Sequence, residues 1–121
     1  MSRSILVIES EPWLAEHYQR TLERRGFAVK CASNAYSAID SIDSDLPDAV
    51  VMNVDISGAS SIALLHELQA YTDTGMLPVI VCGRASDVTL DELQPYGVKR
   101  LVDSTTMRPD DLVAAVRSVL L

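Results

Sequence analysis

Short apolar runs rich in Ile and Val alternate with segments of helical spacing along the whole chain. Such runs are typical of strands buried on both faces, because a strand with one solvated face would alternate apolar and polar residues. Five strands are predicted, at Ser4 to Ile8, Phe27 to Cys31, Asp48 to Val54, Val79 to Cys82 and Arg100 to Val102.

Helix signals fill the gaps between the strands and follow the last one. Pro12 suits the first turn of one helix, and Asn34 is a good N-cap for the next. Ser86 or Asp87 is the predicted cap of the fourth helix, and Pro109 begins the last. Strand and helix thus alternate five times with short links, which predicts an α/β fold with one parallel sheet and helices on both faces.

Functional groups of such an open sheet lie beyond the carboxyl ends of its strands, near the point where the strand order reverses. In this chain those loops are residues 9–11, 53–58, 83–84 and 103–106. We therefore expect any binding or reactive site to be built from these four loops.

The composition fits one globular domain over residues 1–121, since 48% of the residues are hydrophobic. The formal net charge of -7 argues against direct binding to nucleic acid or to an anionic membrane, because both repel an acidic surface. The sequence has neither the apolar core of a signal peptide nor the roughly 20 apolar residues of a membrane helix. We therefore expect a cytoplasmic protein.

The cysteines and histidines predict no metal site. Cys31 and Cys82 each fall in a strand-like run, and both are expected to be buried free thiols, which also fits the cytoplasm. His17 and His66 fall on different predicted helices and are expected at the surface, with no second ligand at metal-binding spacing.

Four stretches, at residues 5–12, 47–58, 77–82 and 109–116, together resemble a response-regulator receiver domain. The first is an apolar strand that runs into acidic residues, and the second matches the stretch around the family's phospho-accepting aspartate. The resemblance covers almost the whole chain. It implies a flavodoxin-like, doubly wound sheet of five strands in the order 2-1-3-4-5, with five helices.

Receiver domains use two neighbouring carboxylates for Mg²⁺, an aspartate as nucleophile, a hydroxyl, and a lysine that binds the phosphoryl group. By resemblance, the matching positions here are Glu9, Ser10, Asn53, Gly83 and Ser104, or Thr105 if one residue is inserted. Asn53 cannot form an acyl phosphate, because its carboxamide oxygen is neutral and weakly nucleophilic. Ser10 is a poor Mg²⁺ ligand, and Gly83 has no hydroxyl. Neither Ser104 nor Thr105 is a lysine.

The chain therefore resembles a pseudo-receiver with a vestigial phosphorylation pocket, for which we expect no catalytic residue, metal or cofactor and no enzymatic activity. Asp55 and Arg84 complete that pocket. Glu9 and Asp55 are either a weak cation site or solvated loop ends. Arg84 is either a fixed positive charge beside them or an exposed loop arginine.

The expected function is a phosphorylation-independent protein-interaction module in two-component signal transduction. One alternative is an active receiver that uses another acceptor such as Asp55, which lies two residues beyond the family position. The other is a flavodoxin-like domain that binds a small ligand, although no Gly-rich phosphate loop follows the first strand. The chain is either a stand-alone domain or a part of a larger regulator or hybrid kinase.

The resemblance also implies an interaction face formed by the fourth helix, fifth strand and fifth helix. Its expected partners are a histidine kinase, an output domain or a second copy in a homodimer. The face carries charges of both signs, which suit a two-fold contact, at Asp91, Glu92, Lys99, Arg100 and Arg117. The alternative surface is the first helix, from Trp13 to Arg20.

Overall fold

The computed structural model describes residues 2–54, 61–71, 74–84 and 89–120. Its five parallel strands form one sheet in the order β2-β1-β3-β4-β5, which confirms the predicted topology. The strands are β1 (Ser4–Ile8), β2 (Ala28–Ala32), β3 (Ala49–Asn53), β4 (Val79–Gly83) and β5 (Val98–Asp103).

Helices connect successive strands, a last helix follows β5, and together they cover both faces of the sheet. They are α1 (Pro12–Glu23), α2 (Ala35–Ser44), α3 (Ser61–Gln69), α4 (Leu90–Leu93) and α5 (Pro109–Val119). The longest of these described helices, α1, has 12 residues, and none has the length and apolar character needed to cross a bilayer.

The central strands hold the two halves of the core together. Side chains of β1, β3 and β4 are buried, and they alternate between the two faces of the sheet. One face packs against α2, α3 and α4, and the other packs against α1 and α5. This arrangement explains the unbroken apolar runs, because helices cover these strands on both sides.

Local capping chemistry sets several helix boundaries. Pro12 and Pro109 occupy the first turns of α1 and α5, where the missing N–H of proline costs nothing. The Asn34 side chain accepts a 2.8 Å hydrogen bond from the Ser37 N–H and caps α2, as predicted.

The predicted start of the fourth helix is wrong. Thr89 is the N-cap, and its hydroxyl accepts a hydrogen bond from the Glu92 N–H, so α4 begins after both predicted cap residues, which lie outside the described residues. The helix is short because Pro95 has no N–H to continue its hydrogen bonds. The chain forms a 3₁₀ turn at Gln94–Tyr96 and then leaves through Gly97 at a φ of 87°.

The expectation of two buried thiols is half wrong. Cys82 lies on the inner strand β4 and is fully buried, and burial raises its pKa to about 12. Cys31 is exposed, because β2 is an edge strand that only part of α1 covers. Its sulfur lies 3.7 Å from Gln19 Oε1, and this partial burial raises the Cys31 pKa, with a further contribution from the negative charge of Glu23.

Candidate functional site

A cavity of about 650 Å³ lies at the carboxyl ends of β1, β3, β4 and β5, where the sequence places the functional loops. The reversal of strand order on either side of β1 opens this space. Six of the seven predicted pocket residues line it, namely Glu9, Ser10, Asn53, Gly83, Arg84 and Ser104. The seventh, Asp55, lies outside the described residues.

A buried carboxylate forms the floor of the cavity. Glu9 directly follows β1 and is only 2% exposed. One of its oxygens accepts a 2.7 Å hydrogen bond from the Asn53 amide nitrogen, at the end of β3. The other accepts a 3.1 Å hydrogen bond from the backbone N–H of Glu11. A buried carboxylate without such donors would be costly, so these bonds stabilise Glu9 in place.

The pairing of β4 with β5, which is irregular between Val79 and Ile80, places the turn after β5 at the cavity. Gly83 pairs with Asp103, and the Ser104 N–H donates a 3.0 Å hydrogen bond to the Gly83 carbonyl. Ser104 therefore comes directly after the strand, beside Gly83, and both Ser104 and Thr105 line the cavity. Asp103 holds the following turn by accepting hydrogen bonds from the N–H and the hydroxyl of Thr105.

Tyr18 forms part of the cavity wall, a role that the sequence analysis missed. It is 2% exposed and interacts with the Cys82 side chain beneath the pocket. Burial raises the Tyr18 pKa above its ordinary range, and Cys82 and the negative charge of Glu9 raise it further. Only the tertiary packing of α1 brings Tyr18 close to Cys82 and Glu9.

Arg84 lies at the rim of the cavity with an exposed side chain. Among ion pairs between described residues, none joins Arg84 to Glu9. In the described residues the buried negative charge is thus met by the Asn53 amide and a backbone N–H, and the guanidinium group stays at the surface.

A sequence profile of the response regulator receiver domain matches residues 5–117, which is nearly the whole chain. The chain belongs to the response regulator receiver domain family. The transcriptional regulatory protein CseB of Streptomyces coelicolor is 29% identical to this receiver domain over 119 residues, which cover 96% of this chain and 48% of that protein. The chain thus spans about half the length of the curated relatives it matches.

Solved structures of receiver domains share the fold. A chain described as a response regulator from Chloroflexus aurantiacus superposes with a TM-score of 0.91 at 21% identity, covering 99% of this chain and 98% of that one. The signal receiver domain of a histidine kinase from Syntrophus aciditrophicus has a TM-score of 0.86 at 24% identity, covering 98% and 90% of the two chains. These likenesses support the flavodoxin-like architecture.

The described pocket of this receiver domain does not fit Mg²⁺, the ion that the family uses. Mg²⁺ prefers an octahedral shell of oxygen ligands, with carboxylates among them. Here Ser10 is neutral, both Glu9 oxygens already accept hydrogen bonds, and Asn53 presents hydrogen atoms to Glu9. Over the described parts of the chain, no group of three or more His, Cys, Asp or Glu side chains is arranged to hold a metal ion.

The predicted interaction face of the receiver domain is formed by side chains that are all exposed. Asp91 and Glu92 lie in the first turn of α4. Lys99 and Arg100 lie on the edge strand β5, and Arg117 lies on α5. No ion pair between described residues joins any two of them. Their charges are thus not neutralised by one another.

Proposed function

We propose that this receiver domain acts as a protein-interaction module of two-component signal transduction without accepting a phosphoryl group. The observation that carries the proposal is the Asn53–Glu9 hydrogen bond of 2.7 Å at the phosphorylation position. As part of the proposal, the domain spans residues 1–121 and works in the cytoplasm.

The Asn53 side chain is unsuited to phosphoryl chemistry in two ways. Its neutral oxygen is a weak nucleophile toward phosphorus, and its nitrogen is engaged with a buried carboxylate. The positions that stabilise the transferred group in the family hold Gly83 and Ser104, which supply no side-chain hydroxyl after β4 and no positive charge after β5.

The Asn53–Glu9 bond also supports a fixed conformation. It joins the ends of β1 and β3 by a contact that requires no added ion or phosphoryl group. A domain held in this way has no chemical switch, so its surfaces are presented constitutively. Partner binding should then depend on the presence of the protein and not on its modification state.

The direct test is intact-mass spectrometry after incubation with acetyl phosphate and Mg²⁺. We expect no gain of one phosphoryl group. A stable gain would contradict the proposal, and the same measurement on Asp55→Asn would then show whether the alternative acceptor is responsible. Loss of the gain in that variant would assign the reaction to Asp55.

We propose the α4-β5-α5 face as the contact surface for a histidine kinase, an output domain or a second copy. Its charges of both signs, which form no ion pair with a described residue, suit a self-complementary two-fold contact. Sedimentation over a concentration series should reveal a dimer without phosphodonor, weakened by Arg100→Glu and by Arg117→Glu. Arg3→Glu, an exposed change before β1, is the matched charge control.

A strict monomer, together with partner binding that ignores both substitutions, would move the contact surface elsewhere. The first place to examine would then be α1 around Trp13, whose indole is 68% exposed.

A further inference from the structure

A second cavity, of about 330 Å³, lies between α1 and the start of α5. We call it the arginine groove. Its main lining residues are one aromatic residue, three arginines and two apolar residues of α5, namely Trp13, Arg20, Arg24, Arg25, Pro109 and Val113. Trp13 and His17 also line the cavity above Glu9, so the two spaces meet at these side chains.

The groove concentrates positive charge in an acidic protein. Three of the ten lysines and arginines of the chain line it, against a single glutamate, Glu16. The chain as a whole carries a net charge of -7, so the surface outside the groove is more acidic still. A local positive field of this kind attracts negatively charged groups and repels cationic ones.

Two of the three arginines in the groove form ion pairs with described residues, and the third forms none. Arg20 pairs with Glu16 one turn earlier on α1, and Arg25 pairs with Asp110 of α5 at 2.6 Å. The second pair links the chain just after α1 to the start of α5. Arg24 is exposed and forms no ion pair with a described residue.

An apolar contact area lies beside the charges. The Trp13 indole is 68% exposed, whereas the floor residue Val113 is 2% exposed. Exposed tryptophan next to arginine is the combination enriched where proteins bind other proteins, because both side chains bury large areas and retain polar contacts.

We infer that the arginine groove binds an acidic segment of a partner protein that carries an apolar side chain. The carboxylates of the segment pair with Arg24 and its neighbours, and the apolar side chain packs against Trp13. The inference rests on the proposed function, since it names a partner chemistry for an interaction module. It concerns the groove between α1 and α5 and does not involve the α4-β5-α5 face.

The test is selection from a displayed library of random peptides against the whole domain. The enriched peptides are then synthesised, and each is titrated into the domain. Trp13 is the only tryptophan of the chain, so its fluorescence responds to a peptide that binds beside it, and the Arg24 variants below separate the groove from the cavity above Glu9. We expect enriched peptides to combine Asp or Glu with Leu, Phe or Trp. Binding should weaken as salt rises, because the charges lie at the surface.

Charge reversal in the groove provides the comparison. Arg24→Glu should lower the affinity for the enriched peptides by at least about tenfold, because like charges then face one another. Arg24→Lys should keep most of the affinity, and Arg100→Glu, which is outside the groove, should leave it unchanged. The Arg24 side chain forms no ion pair with a described residue, so the fold should survive the change.

Three outcomes would overturn the inference: no enrichment, enrichment of basic peptides, or acidic peptides whose affinity ignores Arg24→Glu. Quenching of Trp13 by ATP or inorganic triphosphate with higher affinity than by any peptide would also overturn it, in favour of a phosphate ligand. None of these results bears on the phosphoryl-mass measurement, so the groove and the proposed function can fail separately.

Discussion

Replacing Asn53 with aspartate should turn a stabilising contact into a repulsive one. In the native chain the Asn53 amide donates to the buried Glu9 carboxylate at 2.7 Å. The Asn53→Asp variant places a second carboxylate at that distance. The two changes add, because the donor is lost and a like charge takes its place.

The geometry sets the size of the effect. At an effective dielectric constant near 20, two like charges 2.7 Å apart repel by about 6 kcal/mol. Uptake of one proton by the carboxylate pair limits this penalty to about 4 kcal/mol at neutral pH, the cost of protonating an ordinary carboxyl there. We therefore expect Asn53→Asp to lower the free energy of unfolding by about 3–5 kcal/mol near neutral pH.

The pH dependence has a definite sign. The folded pair of carboxyls in the variant binds a proton more tightly than the unfolded chain does, so lowering the pH favours the folded variant. The loss in free energy of unfolding relative to the native chain should be smallest near pH ~4 and grow toward neutral pH. Added Mg²⁺ should also reduce the deficit, because a cation between two carboxylates stabilises the folded state alone.

Urea unfolding of three proteins checks this reasoning. Asn53→Ala is the matched control, since it removes the donor without adding charge, and it should cost roughly 1.5–3 kcal/mol with no rescue by Mg²⁺. Unfolding curves at both pH values, with and without Mg²⁺, separate the two variants. An aspartate variant as stable as the native chain at neutral pH without Mg²⁺ would refute the role assigned to the Asn53–Glu9 bond.

Three further outcomes follow from the structure. Ellman's reagent should label Cys31 in the native protein and reach Cys82 only on unfolding. Labelling of the native protein should rise at alkaline pH, because partial burial raises the Cys31 pKa. Two labelled thiols in the native state would contradict the packing of β4. Asn34→Ala should lower the free energy of unfolding by about 1 kcal/mol in urea, and an unchanged midpoint would show that the cap of α2 is dispensable. Asn53→Asp should not restore phosphorylation by acetyl phosphate at the rate of an ordinary receiver domain. The hydroxyl after β4 and the lysine after β5 are still missing, and each missing donor costs roughly 10²–10³ in rate. Intact mass measured over time gives the phosphorylation rate, and an ordinary rate would contradict the prediction.

Local patterns of the sequence determined most of the fold. Unbroken apolar runs identified the strands because central parallel strands are buried on both faces. Proline and asparagine fixed the starts of α1, α2 and α5, since first-turn and cap chemistry depends on the residues at that point alone. The start of the fourth helix was predicted wrongly, because two residues just before Thr89 have side chains that also suit a helix cap, and the sequence alone does not distinguish them from Thr89.

Only the tertiary structure decided which of these residues meet. Asn53 and Glu9 are 44 positions apart, and their hydrogen bond exists because β1 and β3 are neighbours in the sheet. The exposure of Cys31 follows from the edge position of β2, which no local pattern reveals. The arginine groove needs Arg25 beside Asp110, 85 positions later. Composition and spacing determine which groups a chain carries and which elements hold them, whereas long-range packing determines their partners, because contacts between distant residues depend on the arrangement of whole strands and helices.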